Sequence, residues 1–104
     1  MEAIQLLVFW RGSVSPFVVW LEGLRDRRAV AAIQARLNRV RLGNFGDCKS
    51  VGGGVEELRI DFGPGYRVYF GRSGRTVVVL LGGGSKRTQK ADIRNAQRYW
   101  KEMR

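Results

Sequence analysis

Histidine is absent from this chain of 104 residues, cysteine occurs once and proline twice. A single cysteine, Cys48, cannot close an internal disulfide and fits a reducing compartment. Without histidine a zinc site lacks its usual ligands, so neither a metal nor an organic cofactor is expected. No apolar run reaches the ~18 residues of a membrane-spanning helix, and no membrane association is expected. The opening Met1-Glu2-Ala3-Ile4 lacks the basic segment of a signal peptide, and the expected location is the cytoplasm. Acidic residues are few: 9 Asp and Glu stand against 19 Lys and Arg, a formal net charge of +10.

What is present is an apolar content of 44%, ordinary for a globular protein and enough for one core. The chain reads as a single domain, residues 1–104. Most of its basic residues are arginines, whose planar fork matches phosphate or carboxylate oxygens. This balance points to a polyanionic partner, either nucleic acid or an acidic protein.

Residues 49–81 carry the clearest pattern. Over 55–62, Leu58, Ile60 and Phe62 alternate with Val55, Glu57, Arg59 and Asp61, the period of a strand with one buried face. Gly63-Pro64-Gly65 breaks the run. Over 66–72, Tyr66, Val68 and Phe70 alternate with Arg67 and Tyr69. After Ser73-Gly74, residues 76–81 form a β-branched and aliphatic run that suits a strand covered on both faces. The polar face of the two alternating strands collects Glu57, Arg59, Asp61, Arg67 and Tyr69.

Around this centre, residues 4–10 read as a first strand. Ser15-Pro16 reads as a helix cap and first position, with Phe17, Trp20, Leu21 and Leu24 on one face. Asp26 caps a second helix with the stripe Val30, Ile33, Leu37 and Val40, and the pair forms a hairpin with a link of about two residues. Residues 45–51 read as another strand, Gly52-Gly53-Gly54 as a turn, and 88–103 as a last helix with Ile93, Ala96, Trp100 and Met103 inward. Lys90, Arg94, Arg98 and Lys101 line another face of it. The order β-α-α-β-β-β-β-α predicts an α+β domain, a mainly antiparallel sheet with a helical hairpin and a C-terminal helix. Gly82 to Ser85 does not satisfy the spacing of a nucleotide-binding phosphate loop.

Three stretches are Leu42-Gly43-Asn44-Phe45-Gly46-Asp47-Cys48-Lys49, Val55-Glu56-Glu57-Leu58-Arg59-Ile60 and Gly63-Pro64-Gly65-Tyr66-Arg67-Val68-Tyr69-Phe70. Together with Trp20-Leu21-Glu22-Gly23-Leu24-Arg25-Asp26, Leu80-Leu81-Gly82-Gly83-Gly84-Ser85-Lys86 and Asp92-Ile93, they resemble the addiction-module killer proteins, a HigB-like branch of the RelE/ParE toxin superfamily. The resemblance covers residues 17–100 and agrees with the element order. It implies a RelE/ParE-like fold and a toxin of a type II toxin–antitoxin system. RelE-like and HigB-like members cut messenger RNA at the ribosome without metal, whereas ParE-like members inhibit DNA gyrase without catalysis. Fold does not choose between them, and a non-toxic basic RNA-binding domain is a further alternative. The implied partners are messenger RNA with the ribosome and a cognate antitoxin, a helix-turn-helix HigA-like protein, held in a hetero-oligomer.

Metal-free RNA cleavage needs a base for the 2′-OH, cations for the phosphorane and an acid for the leaving 5′-oxygen. Gly65-Tyr66-Arg67 matches the RelE pattern in which the arginine faces the scissile phosphate. Arg59 either completes a two-arginine clamp with Arg67 or pairs with Glu57 or Asp61. Glu57 is either the base or a carboxylate orienting the arginines. Lys49 is either a base of lowered pKa or a solvated lysine. Lys86-Arg87 matches a basic pair of RelE-like proteins, and Arg87, Tyr69 and Lys90 complete the candidate RNA contacts. The chain departs from its relatives in having no histidine and in having Ile93 where some carry a catalytic tyrosine, Tyr99 lying later. Residues 4–10 are more apolar than this family's first strand, which suggests cover by a partner or a second copy.

Overall fold

The elements follow from local chemistry. Ser15 caps helix α1 (Pro16–Glu22), its hydroxyl accepting the Val18 N–H, and Pro16 takes the first position, where no N–H is needed. Asp26 caps α2 (Arg27–Arg41) by accepting the Arg28 N–H at 2.9 Å. The computed structural model describes residues 3–104; Met1 and Glu2, part of the opening read for a signal peptide, lie outside the described residues.

The strands are β1 (Gln5–Val8), β2 (Cys48–Gly52), β3 (Val55–Ile60), β4 (Tyr66–Ser73) and β5 (Val77–Ser85). They form one sheet in the order β1-β5-β4-β3-β2. β1 runs parallel to β5, and the other neighbours are antiparallel. With helix α3 (Gln89–Met103) after a single 3₁₀ turn, Lys86–Thr88, the result is an α+β fold with a five-stranded mixed sheet and three helices. No helix among the described residues is long and apolar enough to cross a membrane.

Both faces of the sheet are covered. α1 and α2 lay Phe17, Ile33, Leu37 and Val40 against Leu58, Ile60, Val68, Phe70, Val78 and Leu80. On the other face α3 lays Ala96 and Trp100 against Val55, Tyr69, Val79 and Leu81, with Phe9 beside them. The run in β5 therefore feeds both cores alternately, as its continuous apolar character requires. The polar face expected on β3 and β4 is different from that expectation, because α3 lies across it.

Smaller departures have local causes. The buried stripe of α2 begins at Ala29 rather than Val30: residues 29, 33, 37 and 40 share a face, and Val30 lies at its edge, half-buried. α1 ends at Glu22, so Leu24 reaches the core from the link between the helices. β1 is shorter than the apolar run, and Trp10 beyond it is exposed. β5 runs on past residue 81 through Gly82-Gly83-Gly84 to Ser85. A side chain at Gly83 would enter the Trp20 ring, and one at Gly84 would enter Asp92 and Thr88. The glycines let α1 and α3 approach the end of β5 from opposite sides.

Candidate functional site

Strand alternation turns Glu57 and Arg59 of β3 toward α3, and pairing with β4 sets their neighbours. Glu57 stands opposite Tyr69, and Arg59 opposite Arg67. Lys49 of β2 faces Glu57 from the other side, and Gly84 of β5 faces Arg67.

Glu57 is the hub. Its side chain is fully buried, and its Oε2 accepts the Tyr69 hydroxyl at 3.2 Å and the Gln89 amide at 2.7 Å. Arg67 Nε lies 3.6 Å from Oε2, and Arg59 Nε 3.5 Å from Oε1. A buried carboxylate left alone would cost several kcal/mol; two guanidiniums and two hydrogen bonds offset that cost. The ion pairs are longer than the ~2.7–2.9 Å of a charge-assisted hydrogen bond. Glu57 Oε1, Arg59 Nε and Arg67 Nε are buried without hydrogen-bond partners. Charge, more than directed hydrogen bonding, therefore holds the two arginines on the carboxylate. Burial, reinforced by the Glu57 charge and the hydrogen bond to it, pushes the Tyr69 phenol well above its ordinary value.

The cluster opens at one end of the sheet. The Arg59 side chain is 40% exposed and that of Arg67 only 10%. The Gly65 carbonyl accepts both Arg67 Nη1 and the Lys86 N–H, each at 3.1 Å. That shared acceptor ties the start of the 3₁₀ turn to Arg67. Lys86, Arg87 and Lys90 are exposed there and, with Arg94, line a shallow hollow of about 580 Å³. Lys49 is exposed on the β2 side.

The sequence-derived candidates therefore form two layers. Glu57, Arg67 and Tyr69 are sealed beneath α3; Arg59, Lys49, Lys86, Arg87 and Lys90 lie at the surface. Tyr69 cannot stack on an RNA base, because its ring is buried and its hydroxyl is committed to Glu57. Glu57 is fully buried, and its carboxylate lies against Arg59 and Arg67.

Two contributors do not stand out in the sequence. Gln89 holds Glu57 from the first residue of α3. It shares a helical face with Ile93, Ala96 and Trp100, and a polar residue on an apolar stripe is the signal that could have found it. Arg36 of α2 donates to the carbonyls of Phe45 (3.2 Å), Asp47 (3.3 Å) and Arg59 (3.1 Å), fixing the backbone that carries the exposed arginine. Burial, with Arg39 nearby, lowers the Arg36 pKa from its ordinary value.

No protein-family model and no solved structure matches the chain. It is 49% identical over 87 residues to an uncharacterized protein of Haemophilus influenzae, across 84% of this chain and 88% of that one.

Proposed function

The chain belongs to one family with that Haemophilus influenzae protein, and we propose that it is the toxin of a type II toxin–antitoxin pair. In this reading it is a cytoplasmic, metal-independent endoribonuclease that cuts messenger RNA on the ribosome, built on a RelE/ParE-like fold. The observation that carries it is the placement of Arg59 and Arg67 side by side on the buried carboxylate of Glu57, with Lys86 tied to the same end of the sheet. The element order and the resemblance of residues 17–100 to the killer proteins support the fold assignment.

The 2′-oxygen attacks phosphorus and the bond to the 5′-oxygen breaks, leaving a 2′,3′-cyclic phosphate and a 5′-hydroxyl. Arg59, half-exposed, meets the phosphorane charge. Lys49, in its neutral amine form, takes the 2′-OH proton, and the Lys86 ammonium protonates the leaving oxygen. Arg67, Glu57, Tyr69 and Gln89 position Arg59 and do not touch RNA. A preorganised donor of this kind is worth about 10²–10³ in rate. The antitoxin, a helix-turn-helix HigA-like protein, supplies acidic residues that cover the basic end of the sheet.

A second reading is a ParE-like gyrase inhibitor. The burial of Glu57 and Tyr69 favours it, because it removes from the surface two groups that could have served as base or acid beside Arg59.

Titrating the purified protein into a reconstituted translation reaction and, separately, into a gyrase supercoiling assay tests the choice. Arrested translation with shortened messenger supports the nuclease. Blocked supercoiling with intact messenger replaces it with the second reading.

A further inference from the structure

One flank of α3, continuing from Lys86 at the cleavage site, carries a row of cations of which Lys90, Arg94, Lys101 and Arg104 take no part in the cleavage chemistry. Lys86, Lys90, Arg94, Lys101 and Arg104 recur at three- or four-residue intervals, with Gln97 filling the remaining place. That spacing keeps them in one row on the helix. At 1.5 Å per residue the row from Lys90 to Arg104 extends about 21 Å. All five basic side chains are exposed, and among the described residues none of them takes part in an ion pair.

The acids of α3 lie elsewhere. Asp92 packs over Gly84 and accepts from Thr88, and Glu102 pairs with Arg11. The row is pressed against the sheet edge instead. Gln97 donates to the Val51 carbonyl at 3.0 Å, and Gly53 sits beneath its side chain. The result is two shallow hollows in line. One of about 580 Å³ holds Lys86, Lys90 and Arg94, and one of about 620 Å³ holds Gly53, Gln97, Lys101 and Arg104. The Gln97 contact places the second hollow beside β2, the edge strand of the sheet.

Like charges at this spacing repel along a helix, and a bound polyanion would relieve them. No aromatic ring belongs to the row; Trp100 of the same helix is buried against Gly54 and Gly71. The chemistry is therefore that of phosphate contact without base stacking, which fixes position and is indifferent to sequence. A row one cation wide can track a single backbone.

We propose that this flank of α3 is a binding track for the phosphodiester backbone of single-stranded RNA, running from the Arg59–Lys86 end to Arg104. The proposal rests on the RNA reading above and extends it: the track holds the strand flanking the bond to be cut. It assigns binding roles to Arg94, Lys101 and Arg104, and leaves the chemistry to Arg59 and its supports.

The test is fluorescence anisotropy with an unstructured RNA dodecamer and, in parallel, an RNA hairpin, each over a series of NaCl concentrations. The full-length protein is compared with the triple variant Arg94→Gln/Lys101→Gln/Arg104→Gln. A charge-matched control, Arg25→Gln/Arg27→Gln/Arg28→Gln, lies at the start of α2 on the opposite face of the sheet. Circular dichroism verifies that all three fold. For a single strand, every phosphate that is no longer neutralised flattens the slope of log affinity against log salt by about 0.7. The track variant is expected to lose about 2 from that slope and roughly tenfold or more in affinity at low salt. The control is expected to change far less. Equal losses in the two variants would reduce the effect to net charge and overturn the track, as would a preference for the hairpin. Binding through the row with intact messenger would keep the track and remove the nuclease reading.

Discussion

Arg59 and Arg67 stand directly opposite each other on β3 and β4, and both guanidiniums turn to the one carboxylate of Glu57. Like charges facing across a strand pair repel. The buried acid makes the arrangement tolerable, and the ion pairs leave Arg59 open to a second anion. That relationship links the fold to the proposed chemistry.

Removing the acid exposes its role. Glu57→Gln keeps the shape and can still accept from Tyr69, but it leaves the buried Arg67 uncompensated. Breaking a buried pair costs about 3–5 kcal/mol. Because Arg59 reaches water, the expected loss is nearer ~2–3 kcal/mol, read from the urea midpoint at pH 7.

Tyr69 supplies a pH signature. Its folded pKa is raised, chiefly by burial and then by Glu57. The neutral phenol therefore contributes stability that is fully present below the unfolded value of about 10. That contribution is lost as pH rises from there toward the higher folded value. Tyr69→Phe should cost about 1 kcal/mol at pH 7 through the lost hydrogen bond. It should also flatten the decline in urea midpoint above pH 10.

Gly71 leaves room for Trp100: a Cβ there would stand 2.6 Å from three atoms of the indole. Its backbone is not in the left-handed region, so Gly71→Ala acts through space alone. Overpacking of this kind costs about 1–3 kcal/mol, and the thermal midpoint should fall accordingly. Gly82→Ala, with nothing within 4 Å of the added carbon, should change little.

Arg36→Leu should cost about 2–3 kcal/mol, since the charged donor serves three carbonyls and each such bond contributes ~1.5–3 kcal/mol before partial replacement by water. Hydrogen exchange should quicken in β2 and at Arg59, which the Arg36 side chain holds, and stay unchanged in β5.

The sequence shows the strands of the centre well because Leu58, Ile60, Val68 and Phe70 alternate cleanly and the run 76–81 does not. It shows the caps at Ser15 and Asp26 because their side chains act within three residues. It does not show that α3 covers Glu57 and Tyr69: alternation distinguishes two faces but cannot tell a buried charge network from a solvated one. The continuation of β5 through Gly82-Gly83-Gly84 is not legible, because the side chains that require glycine there, Trp20 and Asp92, come from helices packed on the two faces of the sheet. Of the site, the arginines and lysines were legible by type and position, while their division into a sealed layer and an exposed one depends on tertiary packing.

The most direct test of the central claim is primer extension, with analysis of the cut ends, on a message translated in vitro with the wild-type protein or Arg59→Ala. Arg59 is chosen because it is half-exposed and its removal leaves Glu57 still paired with Arg67. The account predicts cuts within the coding region bearing 2′,3′-cyclic phosphates, about 10²–10³ slower in a variant that remains folded. Cuts at an unchanged rate in Arg59→Ala, or an intact message with the wild-type protein, would contradict it.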